Sequence, residues 1–194
     1  MPNHFDSILV IKGEEKELTN FIQDFKASAI KGRLCICQMA DPIPLILYEC
    51  KYNNISSLEG QEHYTGRPLI EEEKKEITAF GYYSVGDYTH KWWGLKYGCY
   101  DSSLERKSPN EAVFRFWVPL SEVPERIGQI LHARYPNLTF NYYGEDECNF
   151  DHTFSWEIKN TDPILTREQI DKDWNLLKEK KRLELFRFYK MLGK

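Results

Sequence analysis

The 194-residue sequence lacks a glycine-rich phosphate loop, a G-x-S-x-G elbow, an H-E-x-x-H pair and any C-x-x-C pair. P-loop nucleotide hydrolysis, the α/β-hydrolase nucleophile, zincin chemistry and paired-thiol zinc ribbons therefore have no motif here. Apolar runs are short, far below the roughly 20 residues of a spanning helix. No basic stretch leads into an apolar core after Met1, so neither a membrane segment nor a secretion signal is read, and a cytoplasmic location in a bacterial cell or phage-infected host is expected. Charge of one sign is also missing: 26 basic residues face 30 acidic ones, a net charge of −4.

Cys35, Cys37, Cys50, Cys99 and Cys148 are odd in number and unpaired in spacing, which fits free thiols in a reducing compartment. Cys35 and Cys37 alternate within Leu34 to Cys37, so in a strand they share a face and read as small buried side chains rather than as metal ligands. Cys99 or Cys148 could act as a nucleophile only beside a distant histidine, and no local pattern points to one.

With 41% hydrophobic and 14% aromatic residues, the chain has enough apolar material for one domain with an appendage. The charge is unevenly laid out. Residues 166 to 194 sum to +4 and the remainder to −8, so an acidic body carries a basic tail and disfavours contact with duplex nucleic acid.

Phe5 to Lys12 is apolar on both faces, as in a central strand. Gly13 ends it, and Glu14 to Ala29 places Leu18, Phe21, Ile22 and Phe25 at helical spacing. Residues 33–90 read as an insertion: a short strand at Leu34 to Cys37, an extended path forced by Pro42 and Pro44, a loop around Asn53 to Gly60, and a short helix over Ile70 to Phe80. Trp93, Leu95, Tyr97 and Cys99 alternate in strand fashion, Ser102 to Asn110 reads as a loop, and Glu111 to Val118 as an inner strand. Ser121 and Pro124 open a second helix with Val123, Ile127, Ile130 and Leu131 on one stripe, closed at Pro136. Leu138 to Tyr142 and Phe154 to Ile158 follow as a hairpin, and Thr166 to Leu192 as a long helix.

Without the insertion and the tail, the order is strand, helix, strand, strand, helix, strand, plus one added strand. It predicts an α+β fold, a ferredoxin-like split β-α-β sandwich with two helices on one face of an antiparallel sheet. The expected organisation is a domain over residues 1–160, with 33–90 inserted, and a helical extension over 161–194.

Met1-Pro2-Asn3 running into a strand, Tyr82-Tyr83, Trp92 to Tyr97, Phe114 to Pro119 and Tyr135 to Phe140 together resemble the YubB ferredoxin-like domain family of phage, plasmid and mobile-element proteins. That family's Trp-Gly-Thr-Lys-Trp stands here as Trp93-Gly94-Leu95-Lys96-Tyr97, and its acidic residue after the penultimate strand corresponds to Glu145. The resemblance covers Met1 to Leu18 and Tyr82 to Asn160. It implies the fold and a mobile-element origin; no general activity comes with it, and no iron–sulfur cluster is implied.

Three constellations remain. The aromatic block Tyr88, His90, Trp92, Trp93 and Tyr97, with Lys96, reads either as core or as a surface that stacks nucleotides or single strands. The acidic stretch around Glu145, Asp151 and His152 reads as a solvated hairpin turn or as a weak cation site for a metal-dependent hydrolase. The tail carries more apolar surface than one contact needs, so Trp174, Leu177, Phe186 and Phe188 are expected to bind a host protein or a second copy. The leading reading is a non-catalytic binding protein, without a cofactor, that occupies a host protein, defence components included, or a small ligand.

Overall fold

A computed structural model describes residues 4–30, 32–49, 62, 65–80, 84–95, 98–119 and 122–191, with backbone alone for 45, 49, 80, 149–151 and 181–191. The protein is α+β, built on a five-stranded antiparallel sheet whose strands lie side by side in the order β2 (Tyr100–Ser108), β3 (Glu111–Pro119), β1 (His4–Lys12), β4 (Thr139–Asp146) and β5 (Asn149–Ile158).

Strand β1 (His4–Lys12) lies at the centre because its side chains are apolar in both directions. Phe5, Leu9 and Ile11 are buried on one face, and Ile8 and Val10 are half-buried on the other. It pairs with β3 (Glu111–Pro119) and β4 (Thr139–Asp146), placing Ile8 between Arg115 and Tyr143. Helix α1 (Glu15–Ala27) has Glu15 and Glu17 in its first turn and Lys26 in its last, each complementing the helix dipole. Its stripe Leu18, Phe21 and Phe25 is buried; Phe25 meets Phe114 edge-on at 4.8 Å, and Phe21 meets Phe140 at 5.7 Å.

Helix α6 (Glu125–Arg134) shares that face of the sheet. A Cβ on its Gly128 would stand 2.5 Å from the Trp156 ring of β5 (Asn149–Ile158), so the missing side chain is what lets helix and strand approach. The turn at Asp146 to Asn149 makes β4 and β5 a hairpin, as expected.

The segment read as an insertion differs most from expectation. Leu34 to Cys37 is not a strand: Cys35 is extended, and Ile36–Ala40 coils into the short helix α2, burying Ile36, Cys37, Met39 and Ala40. Past the two prolines, Leu45–Glu49 forms α3, followed by α4 (Glu71–Phe80) and α5 (Val85–Tyr88). Ser84 caps α5 by accepting the Asp87 N–H at 3.1 Å. A π-helical turn then runs over Thr89–Trp93 and ends at Gly94, whose φ of +68° is left-handed. The alternation read over Trp93 to Cys99 is thus helical in its first residue.

The strand lies further on: β2 (Tyr100–Ser108) occupies what reads as a loop. It is an edge strand, half-buried at Tyr100, Ser102 and Leu104 and exposed elsewhere, so it has little need of alternating apolar residues, and Leu104 is its apolar contact with the core. Helix α7 (Arg167–Met191) continues for 25 residues. No helix of the described residues is long and apolar enough to cross a membrane.

Candidate functional site

Asp41 ends α2, and its side chain is almost wholly buried, at 7% exposure. A buried carboxylate is costly unless charges and hydrogen bonds meet it. Four donations do so. Arg126 Nη1 of α6 reaches Oδ2 at 3.0 Å, Arg167 Nη2 of α7 reaches both oxygens at 3.0 and 3.1 Å, and the Tyr88 hydroxyl donates to Oδ1 at 3.1 Å.

Arg126 extends the cluster. Its Nη1 also donates to the Trp92 carbonyl at 2.8 Å and its Nη2 to Asp171 at 2.7 Å, while Asp171 takes Arg167 Nε at 3.1 Å. Two guanidinium groups and two carboxylates therefore balance, which is how charge is kept in the interior. Arg126 Nε finds no hydrogen-bond partner among the described residues. Burial, and then the Asp41 charge, pushes the Tyr88 hydroxyl well above its usual range. Burial opposes the charge on Arg167, but Asp41 and Asp171 outweigh it and hold the guanidinium more basic than usual.

The aromatic block is organised around this cluster. Trp93 is 2% exposed and donates its indole N–H to the Asp41 carbonyl at 2.9 Å. Tyr88 is buried as well. Trp92 is half-buried, with Arg126, Lys91 and Arg167 at 5.0, 5.4 and 5.8 Å from its ring centroid. His90 is exposed, and Lys96 and Tyr97 lie outside the described residues. Of the expected stacking surface, Tyr88 and Trp93 belong to the interior, and the cations around Trp92 are the chain's own.

The first half of α7 is seated on this region. Arg167, Asp171, Trp174 and Lys178 recur at helical spacing and face the π-turn and α6. Trp174 donates to the Lys91 carbonyl at 2.9 Å, and its ring lies so close to Gly94 that a Cβ there would sit 3.0 Å away. Ile170 and Trp174 are buried, whereas Leu176 and Leu177 are 56% and 43% exposed. Burial, then Lys91 and Arg126, depresses the basicity of Lys178, which stands 5.0 Å over the Trp174 ring. Trp174, expected on a partner surface, thus packs on its own body, for the simple reason that its indole finds both a carbonyl and a side-chain-free glycine there. The side chains of Phe186 and Phe188 lie outside the described residues.

At the β4–β5 turn, Asp146 is buried and accepts the Cys148 N–H at 2.9 Å, closing the hairpin. Glu145 is half-buried and accepts the Tyr143 hydroxyl at 3.3 Å, and exposed His152 lies 3.9 Å from Asp146. The Asp151 side chain lies outside the described residues. Cys148 is exposed; Cys99 is buried beside Cys35, with 3.4 Å between their sulfurs.

Two features are missed by sequence reasoning. One is the open sheet face, where Arg115, Ile8 and Tyr143 stand in one row and Trp117, Asp6 and Glu145 in the next. The inner and outer residues of these strands alternate, so the signal was present in the sequence. The other is a cleft of about 290 Å³ between α6 and β5, lined by Glu125, Glu157 and Asp162 around buried His132. His132 Nε2 lies 3.1 Å from the Asp162 carbonyl.

No protein-family model matches this sequence, and no curated protein matches it. Among solved structures the chain is similar to the protein api92 from Yersinia pseudotuberculosis, of family DUF1281. The TM-score is 0.50, at 8% identity, over 82% of this chain and 95% of that one. At that identity the likeness concerns the fold.

Proposed function

We propose that the protein is a non-catalytic binding protein whose long C-terminal helix engages another protein. The observation that carries this reading is the division of α7. Its first turns are fixed to the body through Ile170, Trp174 and the Arg167–Asp41 pair, yet the helix runs 25 residues, about 37 Å, and already exposes Leu176 and Leu177. Beyond them the sequence continues with Leu183, Leu185, Phe186, Phe188 and Tyr189. An anchored helix that exposes Leu176 and Leu177, and whose sequence stays rich in apolar residues, is a ready-made element for helix-in-groove recognition or for pairing with a second copy.

The body reads as a ferredoxin-like split β-α-β frame with an added edge strand. The order β5-β4-β1-β3-β2 supports it: dropping β5 leaves each strand–helix–strand half interleaved with the other, and α1 and α6 on one face. The resemblance to YubB proteins supports an origin in a phage, plasmid or mobile element, a cytoplasmic setting, and a host protein as the partner, defence machinery included.

The test is site-specific photo-crosslinking in the native host, with the crosslinker at Leu177 and, as reference, at Tyr143 on the sheet face. A discrete adduct from Leu177, a homodimer or a single host protein, supports the reading. Adducts from Tyr143 alone, or none from either position, sink it.

A further inference from the structure

Three thiols scattered along the chain converge. Cys35 immediately precedes α2, Cys37 lies in its first turn, and Cys99 precedes β2. The three sulfurs all lie within 4.8 Å of one another, and Cys35 and Cys99 are 3.4 Å apart. We propose that Cys35, Cys37 and Cys99 bind a soft divalent cation of the zinc class through three sulfur ligands.

The geometry is close to what such an ion requires. Zinc–sulfur bonds of about 2.3 Å in a tetrahedral site place sulfurs about 3.8 Å apart. The Cys35–Cys99 separation of 3.4 Å lies just under that spacing and no sulfur pair is more than 4.8 Å apart, so side-chain adjustments of about an ångström or less complete the set. A C-x-C pair supplies two ligands from one turn of chain, and the third comes from a distant strand end. Sulfur is the right chemistry for a borderline-soft ion and the wrong one for magnesium or calcium.

One backbone donor is already aimed at the cluster. The Cys99 backbone N–H points to Cys35 Sγ at 3.4 Å, and the backbone at Gly98 comes so near that a Cβ would stand 3.2 Å from that sulfur. On binding, each thiol still protonated releases its proton to solvent as its sulfur becomes a ligand. Three thiolates and a dication leave one negative charge, and Cys35, the one of the three that is half-buried rather than buried, is the side from which solvent can complete the coordination. The ion would staple α2 to the start of β2.

The experiment is anaerobic titration of the reduced full-length chain with cobalt(II), followed by zinc, with alkylation of the thiols mapped by mass spectrometry. The expected result is uptake of one cobalt with a thiolate-to-metal charge-transfer band, loss of that band when zinc is added, and alkylation of Cys35, Cys37 and Cys99, but not of Cys148, slowed by metal relative to the metal-free chain. Cys37→Ser should abolish the band, and Cys148→Ser should leave it intact. Should Cys37→Ser fail to fold, the alkylation map of the unaltered chain decides alone. Absence of uptake at stoichiometric metal, a band that survives Cys37→Ser in a folded variant, or a Cys35–Cys99 disulfide in protein taken from reducing cytoplasm would each overturn the proposal.

Discussion

Arg126 Nη1 lies 3.0 Å from Asp41 Oδ2, and the two buried side chains belong to positions 85 apart in the chain. The pair locks α2 to α6, and through Arg167 and Asp171 it also locks α7. Removing Arg126 leaves two carboxylates, Asp41 and Asp171, to the single guanidinium of Arg167. Arg126→Met is therefore expected to cost about 3–5 kcal/mol in denaturant unfolding. Asp41→Asn should cost less than the sum implies when combined with it, since the two changes remove one shared interaction. Additive costs would mean that the cluster is not a unit.

Gly94 holds a left-handed backbone against the Trp174 ring. Gly94→Ala meets both obstacles at once, and a loss of about 1–2 kcal/mol is expected from the backbone alone. The more specific outcome is local: amide exchange over Arg167 to Lys178 should accelerate while β1 and β3 stay protected. Uniform acceleration would show that α7 docking is inseparable from the sheet.

Tyr135 donates to Asp24 at 2.6 Å, tying the end of α6 to α1. Burial, and then this hydrogen bond, pushes the hydroxyl from 10.0 up to about 12. A raised folded-state value means that the folded state keeps its proton longer. The contribution is complete below pH 10 and is lost as pH rises through about 12. Urea unfolding at pH 8 to 12 should show falling stability in that window, with a shallower fall in Tyr135→Phe. An unchanged slope would remove Tyr135 from the linkage.

Leu176 and Leu177 are exposed on α7. Replacing both with Glu should leave folding stability within about 0.5 kcal/mol, as for ordinary surface positions. Size-exclusion chromatography with light scattering and crosslinking should show loss of any assembly made through α7. Retained assembly in the folded double variant would place the interface elsewhere.

Much of the frame is legible in the sequence because β1, β3, α1, α6 and the β4–β5 hairpin each bury one periodic face. Strand β2 is not, since its half-buried positions are Tyr100, Ser102 and Leu104 and the rest of it is exposed, which leaves no apolar period to read. The short helices α2 and α3 are hidden by Pro42 and Pro44, whose presence suggests extension while the residues around them coil. The charged cluster was beyond periodicity altogether, because its members come from α2, α5, α6 and α7. One signal was available: Asp41 is a lone acid in the apolar stretch Ile36 to Leu47, and such a residue calls for a distant cation. The meeting of Cys99 with Cys35 and Cys37 left no trace in spacing, since tertiary structure alone brings a residue 64 positions away into contact.

The central position of β1 has a consequence for biosynthesis. Both of its partners, Glu111–Pro119 and Thr139–Asp146, are made long after it. At translation speeds of about 5–20 residues per second, the interval until β4 is complete is on the order of ten seconds. Until then an apolar segment, Ile8 to Ile11, waits at or beyond the ribosome exit without its full ladder. The yield of folded molecules should therefore depend on how fast the stretch between Lys12 and Asp146 is translated, and on whether a holding chaperone covers β1 meanwhile.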